Sequence, residues 1–369
     1  MTADPQAAVT ACNRFGLGAK PGDLALAAYD PRGFLLEEMR APGVALIDFG
    51  ALASTPSALQ QLFLDQQQKR TERERAAMEP PLSQSRAPNI KPVDVNPPPP
   101  KPQGSNLEQK LFRDEAMARF TKQFSARARF VERLVAFWSN HFAVSVAKGQ
   151  FIRVAAGPFE REAIRPHVLG KFADMLLAVE SHPAMIFYLD NQRSIGPHAA
   201  AGRLAGRGLN ENLAREIMEL HTLGVDGGYA QSDVTELAHI ITGWSSAEAE
   251  SEIGEPGSFV FKTNWHEPGP HSLLGKPYPQ AGRDQGETAV LDLARHPATA
   301  KHIAVKLVRH FVADAPPPDL VETLAKKFRD TDGDLAALCV ALISDERAWR
   351  APATKIRSPS EFIMALLAL

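Results

Sequence analysis

Almost wherever apolar residues recur in this chain, they recur at helical spacing, and that period excludes most sheet-based folds. Phe130, Leu134, Phe137, Trp138 and His141 fall at i, i+4, i+7, i+8 and i+11, one face of a helix. Phe112, Ala116, Met117, Phe120 and Phe124 form a second stripe. The pattern predicts further helices at 172–180, 211–223, 234–243, 299–311, 319–328 and 334–343. Asp4-Pro5, Thr55-Pro56 and Ser358-Pro359 each set a capping residue before a proline at the first helical position. Ser358 to Glu361 is a full capping box. Strand signal is confined to Ser258–Phe261, with a partner expected near Tyr278. The expected fold class is all-α: a multi-helix bundle with one long irregular excursion, residues 245–285, containing at most a small β-hairpin.

Proline divides the chain. Nine of the 29 prolines lie between Pro80 and Pro102. From Gln66 to Asn106 the sequence is charged, then Pro-rich, with almost no large apolar residue. Such a stretch buries too little to offset its ordering entropy, so it reads as a disordered linker or insertion. The domain plan is therefore an N-terminal helical segment, 1–65, packed on the main body, a linker at 66–106, and a main helical domain at 107–369. The last eight residues, Phe362 to Leu369, are apolar all round. A helix of that kind should be buried, so a truncated chain, or self-association through 362–369, is expected.

Composition removes several function classes. Net charge is −2 and the pI is about 6.6, which gives no footprint for nucleic acid. Two cysteines, Cys12 and Cys339, are too few for a disulfide scaffold or a cysteine-rich metal site. No apolar run is long enough to span a membrane. The first twenty residues lack a basic start followed by an apolar stretch, so the expected location is cytoplasmic. No Gly-x-Ser-x-Gly, phosphate-loop, Gly-x-Gly-x-x-Gly or His-Glu-x-x-His pattern occurs, which sets aside the commonest hydrolase, nucleotide and zinc-protease chemistries.

Residues 208–244 carry the most information. Asn210 reads as a helix cap, Gly224 as the residue after the helix, and Asp226-Gly227-Gly228 as a turn. Asp233 and Glu236 fit a capping box for the next helix. On a helical wheel with Asn212 at zero, Glu219 falls at about −20°, Glu216 at about +40° and Arg215 at about −60°. Leu213, Ile217, Met218 and Leu220 take the opposite, apolar side. The polar stripe is either a solvated face or a site, and its lack of lysine favours the site.

The chain resembles the large bacterial family called domain of unknown function 1800. The resemblance rests on Asn13-Arg14-Phe15-Gly16-Leu17-Gly18, Phe137-Trp138-Ser139-Asn140-His141-Phe142, Ile164-Arg165-Pro166-His167, His182-Pro183-Ala184-Met185 and Tyr188-Leu189-Asp190-Asn191. It continues through the whole 210–244 block and His266 with Gly275. It implies a mostly helical fold, no established reaction, and gene pairing with a sulfatase-like family that often carries a secretion signal. Export with such a signal-bearing partner stays open. The family usually has Arg where this chain has His239, and Asp where it has Glu267. Its pattern normally runs past Leu369.

Other residues have a bland and a sharp reading. His141 is a core histidine or a ligand. Glu236 and His239 have the spacing of a di-metal carboxylate helix, but no second such pair exists. His266 and His271, five apart with Glu267 between them, would serve as metal ligands or as a polar loop. His182-Pro183 and His296-Pro297 read as helix starts.

Two functions fit. One is an enzyme of hydrolase or transferase type with a carboxylate–histidine site on the 210–244 helix–turn–helix. Glu216, His141 and His266 would be catalytic. Asn212, Arg215, Glu219, Trp138, Asp190 and Asn191 would bind or orient. A divalent metal is the cofactor such residues suit, with Glu216, Glu219, His141 and His266 as its ligands. The other is a non-catalytic assembly or carrier protein acting with the sulfatase-like partner.

Overall fold

The computed structural model describes residues 2–48, 52–78, 106–202, 208–248 and 253–368. Among them are 17 α-helices and two small antiparallel sheets of two strands each. The fold class is all-α, as the apolar period requires. None of the described helices is long and apolar enough to cross a membrane.

The main core draws on residues 8–45 and 128–348, while Ala58, Leu59 and Leu62 form a small separate cluster with Val154. Phe15 packs on Phe311 and Phe130, which pack on each other with ring centroids 5.4 Å apart. Trp138 stacks on Phe142 and meets Phe172. The helix Phe130–His141 thus lies at the centre, with its predicted apolar face fully covered. Arg165 is completely buried between Glu132 and Glu160, with three guanidinium–carboxylate contacts of 2.9–3.0 Å. A buried charge survives only with such partners.

Several start signals work as read. Asp4 caps Ala7, and Ser358 and Glu361 cap each other. His182 and His296 accept from the amides of Ala184 and Ala298 through Nδ1. Thr55 differs. Its amide and hydroxyl both donate to Glu162, at 2.9 and 2.7 Å, and Ser54 takes the cap. That helix, Thr55–Met78, enters the stretch read as linker. Its surface is held by i, i+4 pairs such as Lys69 with Asp65 and Arg70 with Glu74. Residues 79–105 lie outside the described residues.

The strand expected at Ser258–Phe261 does form, as β2 (Phe259–Phe261), but it pairs with β1 (Trp244–Ser246). Tyr278 lies in β4 (Lys276–Tyr278), opposite His271 of β3 (His271–Leu273). Leu274 and Gly275 join these two strands with φ of +52° and +75°, the two-residue turn that matches strand twist. The final helix, Pro359–Leu367, is not buried as expected. Met364 is covered, while Phe362, Ile363, Leu366 and Leu367 are more than half exposed.

Candidate functional site

The polar stripe does not form as one α-helical face. Asn212–Glu216 is α-helical, but Ile217–His221 continues as a π-helix. Its wider turn rotates later residues away from their wheel positions. Arg215 is spent on Glu211 and Gln231, and Glu211 also accepts from Thr235. This network ties the first helix to the next one. Asn212 is exposed, with its amide capped by Asn210 at 2.9 Å. Glu216 and Glu219 are half-buried and take part in no hydrogen bond or ion pair among the described residues.

The other predicted residues separate. His141 is sealed, with Nε2 3.1 Å from the His221 carbonyl and Nδ1 without a partner. Burial, then the nearby Lys306 charge, push its pKa well below the usual imidazole value, so the ring is neutral. His221 in turn places Nδ1 2.8 Å from the buried Glu180. His302 Nε2 lies 3.1 Å from the Leu220 carbonyl in the last turn of the π-helix, and Gly224, at φ +85°, leaves no room for a Cβ beside it. Trp138 is buried with its indole nitrogen unpaired. Asn191 donates to the carbonyls of Ile241 and Trp244, and Asp190 pairs with Lys148 at 2.6 Å. His266 sits elsewhere, Nδ1 3.0 Å from the Thr242 carbonyl, its pKa lowered by burial. No hydrogen bond or ion pair joins His141, Glu216 and His266 among the described residues.

A different cluster assembles nearby. The helix Gln231–Ile240 brings Glu236 and His239 to one face, and β3 brings His271 against them. His271 Nδ1 lies 3.0 Å from Glu236 Oε2, and His239 Nδ1 lies 3.6 Å from Glu236 Oε1. One ligand atom from each residue falls within 4.8 Å of the others. His239 Nδ1 is buried without a hydrogen bond, an unusual state for a polar atom. Side-chain exposure is 35% for Glu236, 20% for His239 and 10% for His271, so the cluster has an open side. Two imidazoles and one carboxylate suit a divalent ion that keeps a position for water.

The cluster is braced from behind. Asp233 accepts from the Ala230 amide at 2.8 Å and from the Leu274 amide at 3.0 Å. One carboxylate thus caps the helix and holds the hairpin tip. The helix therefore starts at Gln231, earlier than the capping-box reading of Asp233 places it. Gln285, fully buried, donates its side-chain amide to the carbonyls of Gly269, Tyr278 and Gln280.

A family model described as a protein of unknown function, DUF1800, matches residues 10–368. The chain belongs to the DUF1800 family. No curated protein and no solved structure matches it. In this DUF1800 chain the two sequence signals for the cluster were visible separately, as Glu236 three before His239 and as a histidine-rich loop. What the sequence did not supply is that the loop folds back onto the helix. The link is the Asp233 contact to a backbone amide, which leaves no mark on side-chain spacing.

Proposed function

We propose that this DUF1800 protein is a metal-dependent enzyme of the hydrolase type, with Glu236, His239 and His271 holding one divalent ion. The observation that carries this reading is the convergence of three ligand-bearing side chains from two separate elements, one of them with a buried ring nitrogen that makes no hydrogen bond. An ion held by these three residues would supply a bound water with a pKa lowered toward neutrality, the nucleophile that a hydrolase requires. Glu236, the most exposed ligand, borders the side from which substrate would approach.

Metal analysis of protein purified without added metal is the test. One equivalent of a divalent ion is expected, and Glu236→Gln and His271→Ala should each lose it while staying folded. Glu216→Gln should keep it. Loss in Glu216→Gln instead would move the centre to the set formed by Glu216, Glu219, His141 and His266. A wild type that neither contains nor takes up metal would overturn the reading. That outcome would favour an assembly or carrier protein working with a sulfatase-like partner. The sealed state of His141, which fits a fold-fixing network better than a reactive site, supports that second reading.

A further inference from the structure

The Asn13-Arg14 motif has no part in the metal cluster, yet it lines a separate cleft of about 250 Å³. Arg14, Arg133, Lys355 and Arg357 all line this cleft, and no carboxylate does. Two of these cations are locked on main-chain oxygens. Arg14 donates to the carbonyls of Ala348, Trp349, Ala351 and Pro352. Arg133 donates to those of Asn13, Arg14, Gly16 and His310. Among the described residues carboxylates reach two of the four: Glu361 lies 3.0 Å from Arg133 and Asp314 2.5 Å from Lys355. Four positive charges less two negative ones leave an excess of two, in a chain whose net charge is −2. Burial, and then the charges of Arg357 and Arg14, work against the ionised form of Arg133 while Glu361 favours it. The crowding of like charges is what a bound anion would relieve.

Arg357 is the cation with donors left over. Among the described residues its one hydrogen bond, 2.6 Å long, goes to Asn13 Oδ1, which leaves the rest of its guanidinium fork for an anion. Half-buried Val9 and exposed Ile356 give the cleft an apolar wall, while Phe311 lies buried beneath the Arg133 guanidinium, 5.1 Å from its ring centre. We propose that this cleft binds a small organic phosphate monoester, its dianionic head at Arg357 and Asn13 and its organic body on the apolar wall. The fixed charges of Arg14 and Arg133 set the field, and Arg357 makes the contact.

The test is isothermal titration of the full chain with phenyl phosphate and with inorganic phosphate, at constant ionic strength. Phenyl phosphate should bind more tightly than inorganic phosphate. Arg357→Gln, a change at a half-buried side chain that makes none of the main-chain contacts of Arg14 and Arg133, should weaken it about tenfold. Arg357→Lys should recover part of the loss, and circular dichroism confirms that each variant is folded. Equal affinity for the two probes would overturn the organic ester, since the wall would then contribute nothing. Unchanged binding in Arg357→Gln, or no binding of either probe at millimolar concentration, would overturn the site.

Discussion

Leu274 holds a left-handed backbone, φ +52°, where a leucine pays roughly 1–2 kcal/mol relative to glycine. Such a residue persists only when its surroundings fix it, and the Asp233 carboxylate does so through the Leu274 amide. The same carboxylate caps the helix that carries Glu236 and His239. Asp233 therefore ties His271 to the helix that carries Glu236 and His239. Asp233→Ala should weaken metal binding by about 10–100-fold, the range seen when groups behind metal ligands are removed. Asp233→Asn keeps an acceptor for Leu274 and should recover much of the affinity. Titration with Co(II), read by its visible absorption, checks both the affinity and the geometry. A variant that melts earlier but binds Co(II) as the wild type does would mean that Asp233 only stabilises the fold.

At the scale of the element, the π-helix Ile217–His221 decides which side chains are inside. On an α-helical wheel Leu220 falls at about +80°, bordering Glu216, and it is 42% exposed, while Ile217, at about +140°, is fully buried. Ile217→Ala should cost about 2–5 kcal/mol, as a truncated core residue does. Leu220→Ala should cost under about 1 kcal/mol, as surface changes do. Chemical denaturation of the two variants checks this, and equal losses would mean that Leu220 is buried as deeply as Ile217. The example shows where legibility stops. Caps at Asp4, His182, His296 and Ser358 could be read because each rests on neighbours in sequence. The apolar face of Phe130–His141 could be read because its period is uniform. One inserted residue in a helical turn, or a carboxylate reaching a backbone amide forty-one positions away, leaves no periodic trace. The site residues were accordingly found in two pieces and not joined.

For the whole molecule, acid is the condition that should matter most. His141 is buried and His310 half-buried, and desolvation is the first cause of their lowered pKa values, to about 3 for His310. The charge of Lys306 on His141 and of Arg133 on His310 adds to this. A histidine with a folded pKa below its unfolded value, about 6.5, binds its proton first in the unfolded chain. Stability is therefore complete above about pH 6.5 and falls as pH drops, for His310 down to about 3. At pH 5 each such histidine costs up to about 2 kcal/mol. Glu38 works the other way, because burial raises its carboxyl pKa, so its protonation steadies the fold as pH falls and offsets part of this loss. The melting temperature should thus drop by several degrees between pH 7.5 and 5. His310 Nε2 has no hydrogen-bond partner in the core, so His310→Gln removes the titration without removing a bond made by that atom. That variant should show a shallower fall over the same range, measured by calorimetry at matched ionic strength. A fall as steep as in the wild type would place the acid sensitivity in other groups and leave His310 a packing residue.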